Sequence, residues 1–219
     1  MSKIKWNQIY KNKKQHSIYP WSNLVSVVKN IHNNKNSNIK VIEIGCGLGA
    51  NINFLLECGF DYYGIDYSAY AINSLKKKFP KLKNNLFVID FTKEKFPKMI
   101  KFNLIIDRAS GTHCSTKGFK NFLDLYEENF TSDVMYVAID WFSKKCTDAK
   151  YGLKIDAFSK NNFKSGQFKD CGIVRFNDEK HIKQNLFKKW KCTFFRENIS
   201  IFRSKKSYRI CTYDFVMKK

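Results

Sequence analysis

Short apolar runs alternate along the chain with longer stretches in which apolar residues recur every three or four positions. The short runs predict strands and the longer stretches predict helices. The predicted strands cover, in order, residues 39–44, 61–66, 85–90, 102–107 and 133–140. The predicted helices between them cover residues 51–58, 68–79 (with Ser68 as N-cap) and 116–130. This alternation predicts an α/β fold whose central sheet is mostly parallel, with helices on both faces.

The N-terminal part of the chain departs from this alternation. Residues 6–15 predict a short helix, and Ser22 is the expected N-cap of a second helix with apolar residues on one face. The polar stretch "HNNKNSN" (32–38) then breaks the pattern. We therefore expect residues 1–38 to form a helical cap on the α/β fold.

The C-terminal part also has a different pattern. Residues 178–190 predict a helix, and two β-rich stretches follow, at 191–202 and 207–217. The short polar link between the two stretches predicts an antiparallel hairpin, which brings the expected sheet to seven strands in a single domain, residues 1–219. Residues 141–177 show no clear period, and a loop of this length predicts an insertion that covers the substrate.

The first predicted strand runs directly into a glycine-rich stretch, "VIEIGCGLGAN" (41–51). Glycines let the backbone approach a ligand, and the N-terminus of the following helix offers free N–H groups to an anion. The dinucleotide pattern G-x-G-x-x-A fits Gly45, Gly47 and Ala50. The pattern G-x-G-x-G fits Gly45, Gly47 and Gly49. A pyrophosphate and a methionine carboxylate both suit this loop, so the loop alone leaves the cofactor open.

Acidic residues in and after the strands narrow the choice. Glu43 lies inside the first strand, where dinucleotide-binding strands are usually apolar, and a carboxylate buried there must find donors. Asp66 ends the second strand and can accept both hydroxyls of a ribose. Asp90 ends the third strand, followed by Phe91, which can pack on a base, and Asp107 ends the fourth. Acids also begin turns, but together at one sheet edge they indicate a nucleoside cofactor.

At these positions the chain resembles the class I S-adenosylmethionine-dependent methyltransferases. The resemblance rests on "VIEIGCGLG" (41–49), "YGIDYS" (63–68), "VIDF" (88–91) and "FNLIIDRAS" (102–110). First strands of that family usually carry an acid at the position of Glu43, and its sheet ends in an antiparallel strand. The resemblance implies a Rossmann-like methyltransferase fold, S-adenosylmethionine as methyl donor, S-adenosylhomocysteine as product, and no metal.

The resemblance also implies how the cofactor lies. The backbone of the glycine-rich loop would face the methionine part, Asp66 would hold the ribose, and Asp90 and Phe91 would contact the edge and face of the adenine. Asp107 and Arg108 would lie near the sulfonium and the substrate. The residues expected to contact the cofactor are Tyr19, Glu43, Gly45, Cys46, Gly47, Gly49, Asn51, Asp66, Tyr67, Asp90, Phe91 and Asp107.

A narrower likeness, to small bacterial methyltransferases of sugar or other small-molecule biosynthesis, lies in "WNQIYKNKKQHSIYPWSNLV" (6–25), "GCGLGANINFLLECGF" (45–60) and "DRASGTH" (107–113). In such enzymes the N-terminal segment covers the cofactor, and the loop after the fourth strand meets the substrate. Tyr19 would then reach the cofactor carboxylate. The alternative for Tyr19, Pro20 and Trp21 is a hydrophobic staple that leads into the next helix.

Three residues at and after the end of the fourth strand are candidates for catalysis. His113 is the expected general base, because imidazole titrates near neutral pH. Arg108 suits an anionic group of the substrate, or else pairs with a neighbouring acid. Asp107 lies beside it. The N-P-P-[YF] sequence of methyltransferases that act on amino groups of bases does not follow this strand, which disfavours methylation of DNA adenine.

Composition adds further expectations. The net charge of +21 makes a nucleic-acid partner possible, but the lysines are spread along the chain with few arginines, which disfavours one. The apolar runs are too short to span a bilayer, and the basic N-terminus lacks the apolar core of a secretory signal. The seven cysteines include no C-x-x-C pair, which argues against a zinc cluster or disulfides and for buried thiols in a reducing cytoplasm.

The sequence therefore predicts an enzyme that transfers a methyl group from S-adenosylmethionine to a small-molecule acceptor, such as a sugar hydroxyl or an amine. Three alternatives stay open. The first is an RNA or protein methyltransferase that uses the basic surface, and the second is a catalytically silent cofactor-binding module. The third is an NAD dehydrogenase. The acceptor and the oligomeric state do not follow from the sequence.

Overall fold

The computed structural model describes residues 3–12, 17–32, 38–203 and 208–219. The expected end of the first helix, at Gln15, lies outside these residues, as does most of the link of the expected hairpin. The strands within the described ranges are β1 (Lys40–Ile44), β2 (Asp61–Asp66), β3 (Leu86–Val88), β4 (Phe102–Arg108), β5 (Phe130–Phe142), β6 (Leu153–Lys154), β7 (Ser159–Asn161), β8 (Val174–Arg175), β9 (Lys191–Phe202) and β10 (Tyr208–Lys218).

The main sheet has seven strands in the order β3-β2-β1-β4-β5-β10-β9. Strands β1 to β5 pair in parallel, whereas β10 is antiparallel to both β5 and β9. The predicted Rossmann-like α/β class, with a mostly parallel sheet and a C-terminal antiparallel hairpin, is confirmed. The chain leaves β1 toward β2 on one side and enters β4 on the other, so the carboxyl end of β1 is a switch point, where sheets of this kind bind ligands.

Helices cover both faces of this sheet, as predicted. The α-helices are α1 (Lys3–Lys11), α2 (Ser22–Ile31), α3 (Ile52–Glu57), α4 (Ala69–Lys78) and α5 (Thr116–Leu125). A π-helical segment spans His181–Leu186, and 3₁₀ turns span Pro80–Asn85, Ser110–Thr112, Glu127–Asn129 and Thr147–Lys150. Helices α2, α3 and α4 pack on one apolar cluster, and α5 with the π-helical segment packs on another. In the described parts of the chain, no helix is long and apolar enough to cross a membrane.

Several helix boundaries differ from the expectations, and α1 begins at Lys3 rather than at Trp6. Ser68 caps α4 as predicted, since its Oγ accepts the N–H of Ala71 at 3.2 Å. Trp21, rather than Ser22, is the N-cap of α2, because Ser22 already has a helical backbone. Helix α5 ends at Leu125, and the predicted continuation is replaced by the 3₁₀ turn Glu127–Asn129, after which β5 begins at Phe130. The helix predicted over residues 178–190 is limited to residues 179–186, of which the last six are the π-helical segment.

The insertion, residues 141–177, is more regular than its sequence indicates. Strands β6, β7 and β8 form a separate antiparallel sheet of three strands. Each strand has only two or three residues, which is too short to show an alternating pattern. Apolar side chains beneath it form a third cluster with β10: Cys146, Phe163, Phe168, Cys171, Val174, Phe176 and Cys211.

The cysteines are consistent with the expectation from the sequence. All seven are free thiols, and six of them are buried. Buried thiols of this kind act as small apolar side chains. A location in a reducing cytoplasm stays a prediction.

Candidate active site

Two cavities lie at the carboxyl ends of the parallel strands. The first, of about 320 Å³, lies beside the ends of β2 and β3 and is lined by Asp66, Tyr67, Asp90 and Phe91 among others. The second, of about 360 Å³, lies between the start of α3 and the insertion, and its lining includes Glu43, Cys46, Gly47, Arg108, Phe142 and Phe168. Five residues line both cavities: Trp6, Tyr10, Gly45, Ser110 and His113.

The glycine loop, residues 45–51, connects β1 to α3. Gly45 has a φ of 66° and Gly47 a φ of 53°, values that residues with a Cβ rarely adopt. There is also no room for a side chain at Gly45, because a Cβ there would lie 2.0 Å from the Oγ of Ser110. Gly49 was expected to contact the cofactor, but it lines neither cavity. A Cβ on Gly49 would lie 2.6 Å from a leucine side chain of α4, so this glycine lets the loop pack on that helix.

Glu43 is buried in β1, with 2% of its surface exposed, and finds its donors within the protein. Asn51 Nδ2 donates to one carboxylate oxygen at 2.7 Å, and the Tyr62 hydroxyl donates to the other at 2.6 Å. Burial raises the pKa of Glu43 to about 7, although both hydrogen bonds act to lower it. Through these two hydrogen bonds, Glu43 of β1 holds Asn51, at the end of the glycine loop, and Tyr62 of β2 in place. Asn51 Oδ1 is buried and has no partner among the described residues.

Asp66 lies at the carboxyl end of β2 and is held by backbone donors. The N–H of Gly47 donates to Oδ2 at 2.9 Å, and the N–H of Ser68 donates to Oδ1 at 2.7 Å. Burial raises the pKa of Asp66 to about 6, and these hydrogen bonds act to lower it. The Tyr10 hydroxyl is a more distant donor, 3.5 Å from Oδ2. A carboxylate has about four lone-pair sites, so the group can still accept hydrogen bonds from a diol.

The residues after β3 form the other end of the first cavity. Asp90 Oδ1 accepts the backbone N–H of Thr92 at 3.2 Å and its hydroxyl at 2.6 Å, so Asp90 also begins a turn. The ring of Phe91 packs edge-on against Phe122, with centroids 5.3 Å apart. The predicted grouping of Tyr67, Asp90 and Phe91 around one cavity is found in the structure.

Asp107 does not reach either cavity. It is fully buried, and it accepts hydrogen bonds from the Tyr136 hydroxyl at 2.6 Å, from Trp141 Nε1 at 2.8 Å and from the N–H of Gly111 at 3.0 Å. Burial raises the pKa of its carboxyl group, which these donors act to lower. The expectation that Asp107 contacts cofactor or substrate is therefore corrected: its carboxylate fixes the loop that carries His113.

His113 lies on the loop after β4, in the wall of both cavities. Its ring contacts Trp6 and Phe142 edge-on, at centroid distances of 5.4 and 5.8 Å. The backbone carbonyl of Ile173 accepts a hydrogen bond from the ring, and burial lowers the pKa of His113 to about 4. Nδ1 is buried and has no partner among the described residues. The ring is therefore neutral near pH 7, with Nδ1 as its acceptor.

Arg108, in the wall of the second cavity, is held rigidly by its neighbours. Its Nε and Nη2 lie 3.2 and 3.1 Å from Oδ2 of Asp140, and the guanidinium stacks 3.8 Å from the ring centroid of Trp21. Asp140 adopts a φ of 59°, which its backbone N–H supports by donating to Asp214 at 2.9 Å. The alternative stated for Arg108, a pair with a neighbouring acid, is what the structure contains.

Several residues of the site carried no recognisable signal in the sequence. Tyr19, which was expected to contact the cofactor, is 75% exposed and lines neither cavity. Trp6 and Tyr10 of α1 line both cavities instead. Asp140 contributes the partner of Arg108. These residues lie far from the glycine loop in sequence. The one local sign is that Trp6 and Tyr10 are four positions apart, so their aromatic rings lie on the same face of α1.

The arrangement fits the cofactor that the sequence implies. The glycine loop lines the second cavity with its backbone, and the Asn51 side chain beside it carries a buried acceptor, Oδ1, without a partner among the described residues. Asp66 offers lone pairs for ribose hydroxyls, and Asp90 and Phe91 offer an acceptor and a ring face for the base. Within the described ranges, no group of three or more His, Cys, Asp or Glu side chains could hold a metal ion.

Solved structures with the same fold have low sequence identity to this chain. A S-adenosylmethionine-dependent methyltransferase from Methanosarcina mazei has 16% identity and a TM-score of 0.64, over 93% of this chain and 99% of that chain. A methyltransferase of the same description from Clostridium acetobutylicum has 15% identity and a TM-score of 0.63, over 98% of each chain. The 1,6-didemethyltoxoflavin-N1-methyltransferase of Burkholderia thailandensis has 11% identity and a TM-score of 0.67, over 99% of this chain and 86% of that chain.

A family model covers enough of the chain to assign it to a family. No curated protein matches the chain. A family model described as a methyltransferase domain matches residues 19–145, which is more than half of the chain. The matched range contains the glycine loop, Asp66, Asp90 and the loop with His113. The chain therefore belongs to this methyltransferase-domain family and is an enzyme that uses S-adenosylmethionine.

Proposed function

We propose that the protein transfers the methyl group of S-adenosylmethionine to a hydroxyl or amine of a small molecule, such as a sugar or a related metabolite, bound in the second cavity. The observation that carries the proposal is the position of His113. Its unpartnered Nδ1 is buried in a ring that lines both cavities. A proton acceptor thus lies between the site of the cofactor and the insertion.

In this proposal the cofactor lies across both cavities. The backbone of Gly45 and Gly47 faces its methionine part, and Asn51 Oδ1 accepts from the methionine ammonium group. Asp66 binds the ribose hydroxyls. The adenine lies in the first cavity beside Tyr67, Asp90 and Phe91. The side chain of Cys46 packs against β2, where a Cβ on Gly64 would lie 3.1 Å from the Cys46 Sγ.

The bound cofactor supplies an electrophilic methyl carbon whose leaving group is a neutral thioether. The protein orients the acceptor atom and excludes water. His113 Nδ1 takes the proton that the acceptor hydroxyl or amine releases as the new bond to carbon forms. Arg108 contacts a polar or anionic group of the substrate, and Asp107 acts only through the loop that it holds.

Two further parts of the chain contribute in this proposal. The N-terminal segment covers the cofactor, and two of its described residues, Trp6 and Tyr10, line both cavities. The insertion covers the acceptor, since Gln167, Phe168 and Cys171 line the second cavity. Enclosure of this kind favours a small acceptor. In this proposal all of these elements belong to one domain.

The test has two stages. Titration calorimetry with S-adenosylhomocysteine should show saturable binding; absence of binding contradicts the proposal. Incubation of a metabolite extract with donor labelled in the methyl group should then transfer the label to one compound, identified by mass spectrometry. If the protein binds S-adenosylhomocysteine but no compound in the extract gains the methyl label, the protein would instead be a catalytically silent cofactor-binding module.

A nucleic-acid acceptor is the second candidate, favoured by the net charge of +21. Phosphate contacts from lysines make binding strongly dependent on salt. A filter-binding titration with a mixed RNA pool at increasing salt concentrations separates the two candidates. Label in RNA, together with a steep loss of binding as salt rises, would replace the small-molecule proposal.

A further inference from the structure

The insertion directly contacts the ring that is proposed as the base. The carbonyl of Ile173, the residue before β8, accepts a hydrogen bond from the His113 ring, and Ile173 lines the first cavity together with that ring. Because Nδ1 is the ring nitrogen without a partner among the described residues, the donor in this bond is Nε2–H. A carbonyl of the insertion therefore decides which ring nitrogen carries the proton.

Two positions further along the chain, Arg175 holds the residues that follow His113. The Arg175 side chain is fully buried. Its Nη1 donates to the carbonyl of Ser115 at 3.2 Å and to the carbonyl of Cys114 at 3.4 Å. A guanidinium has its donors in fixed directions, so these carbonyls are fixed relative to β8. The same short segment thus holds His113 by its ring and the next two residues by their backbone.

Arg175 also supports an aromatic neighbour of the His113 ring. Its Nε donates to Asn177 Oδ1 at 3.0 Å. The backbone N–H of Asn177 donates to the carbonyl of Phe142 at 2.7 Å, and its side-chain amide donates to the same carbonyl at 3.3 Å. The Phe142 ring packs edge-on against His113, with centroids 5.8 Å apart. The arginine therefore reaches the imidazole by a second route, through Asn177 and the end of β5.

The guanidinium of Arg175 is buried without a charged hydrogen-bond partner. Its acceptors among the described residues are all neutral: the Asn177 amide, two backbone carbonyls and the Cys114 thiol, 3.6 Å from Nη1. The rings of Phe119 and Trp141 lie 4.8 and 5.0 Å from its Cζ and stabilise the cation. Burial of a charge is costly, and an apolar side chain could fill the same volume at less cost. Only the arginine provides directed donors to the loop.

We propose that Arg175 is a positioning residue for methyl transfer, which holds His113 with Nε2–H on the carbonyl of Ile173 and with Nδ1 free to accept a proton. The inference rests on the proposed role of His113 as general base. Arg175 itself lines neither cavity, so it acts through other residues. The insertion then has two tasks, because the segment that covers the acceptor also orients the group that takes its proton.

The first test is NMR spectroscopy, at pH 7, of the whole chain labelled with ¹⁵N in its histidine rings, compared with Arg175→Lys. Lysine keeps the charge but replaces the fixed fork of donors with a single ammonium group. In the unaltered protein we expect His113 to be a single neutral tautomer with its proton on Nε2. In the variant both tautomers should be populated, so the signals of the two ring nitrogens move toward each other. His113→Ala identifies these signals among the four histidines.

The second test is the rate of transfer of labelled methyl groups. Arg175→Lys should lower kcat about 10- to 100-fold, because a small misplacement of a reacting group has an effect of this size. The affinity for S-adenosylhomocysteine should stay within about twofold, since the glycine loop and Asp66 are not touched. Tyr208→Phe is the matched control, because it removes a hydroxyl that bonds to Asp148 elsewhere in the insertion. It should lower the thermal midpoint and leave kcat and the ring signals unchanged.

Ring signals that do not move in folded Arg175→Lys would overturn the inference, as would a rise in KM with kcat unchanged. An equal movement in Tyr208→Phe would also overturn it, because any loosening of the insertion would then have the same effect. If Arg175→Lys does not fold, Asn177→Ala should move the signals in the same direction by a smaller amount, and no movement there counts against the inference. The NMR measurement requires neither donor nor acceptor. Unchanged methyl transfer by His113→Ala would overturn the proposed function instead.

Discussion

The glycine loop and the insertion face each other across the second cavity, but they are held in different ways. In the loop, most polar contacts join residues that lie close in the chain; an exception is the Ser110 hydroxyl, which donates to the carbonyl of Gly45 at 3.3 Å from 65 positions away. Asn51 bonds to Glu43, eight positions away, and Gly47 bonds to Asp66, 19 positions away. The strand, the turn and the helix that make this part of the site are consecutive in sequence.

The insertion depends on partners that are distant in the chain. Arg175 is fully buried, and its Nη1 donates to the carbonyls of Cys114 and Ser115, 61 and 60 positions away. The Tyr208 hydroxyl bonds to Asp148, also 60 positions away. The comparison teaches that one wall of the cavity is encoded mostly by local contacts and the other by long-range packing. Substitutions should therefore affect cofactor binding on one side and stability or acceptor binding on the other.

The largest difference is expected between two glycine substitutions. In Gly45→Ala the new Cβ would lie 2.0 Å from Ser110 Oγ, at a φ of 66°. We expect S-adenosylhomocysteine to bind at least about 100-fold more weakly in titration calorimetry, a loss of about 2.7 kcal/mol. Gly152→Ala is the matched control in the insertion, where φ is 81° and the Cβ would lie 2.7 Å from a carbonyl oxygen of Asn161.

Gly152→Ala should lower the thermal midpoint and leave the affinity within about twofold, because strain at a left-handed position costs about 1–2 kcal/mol without touching the site. Equal losses of affinity in both variants would show that the two walls are not separate. Combining Gly45→Ala with Ser110→Gly removes the clashing side chain and should recover part of the binding.

A pair of histidines gives the next largest effect. His113 and His181 both have a pKa that burial lowers to about 4, and in both the Nδ1 has no partner within the described residues. Only His113 lines the cavities. His113→Ala should slow transfer of labelled methyl groups by about 100-fold or more, as loss of a general base does, with cofactor affinity retained. His181→Ala should only lower stability; equal rates in the two variants would exclude His113 as the base.

A smaller effect is expected at the partner of Arg108. Asp140→Asn removes the charge that holds the guanidinium, and the KM for the acceptor should rise about tenfold, the effect of one hydrogen bond to a charged group. The affinity for S-adenosylhomocysteine should not change. Asp178→Asn is the control, because it breaks an exposed pair in which Lys144 Nζ lies 3.0 Å from the carboxylate. A KM unaffected by Asp140→Asn would remove Arg108 from the substrate site.

The smallest effect is a pH dependence of stability. The pKa of Glu43 is raised from 4.5 to about 7 in the folded chain, so between these values the folded state binds more protons than the unfolded state. The stability that this group contributes is therefore lost as pH rises through 7. Chemical unfolding should show the free energy falling by about 1 kcal/mol between pH 6.5 and pH 8.

Glu43→Gln should remove most of that slope. The lowered pKa of His113 and His181 acts in the opposite direction, since their contribution is lost as pH falls from 6.5 toward 4. Measurement from pH 6.5 upward avoids them. An identical slope in the Gln variant would show that Glu43 is ionised over this range.

The sequence by itself determined the sheet, its switch point and the cofactor end of the site. Apolar runs of strand length, separated by helical periods, leave few topologies for a chain of this size. The glycine loop, Asp66 and Asp90 follow their strands directly, so their positions at the sheet edge required no knowledge of distant contacts. Glu43 could be singled out because a carboxylate inside an apolar strand needs donors.

Only the tertiary structure decided which of the remaining candidates reach the site. Asp107 and Arg108 are adjacent in sequence, yet one is buried under Trp141 and the other lines a cavity, because side chains alternate between the faces of a strand. Tyr10 rather than Tyr19 meets the cofactor region, since α1 docks on the start of α4 through Asn7. Such contacts join residues about 60 positions apart, and a local pattern carries no information about which distant surface will cover it.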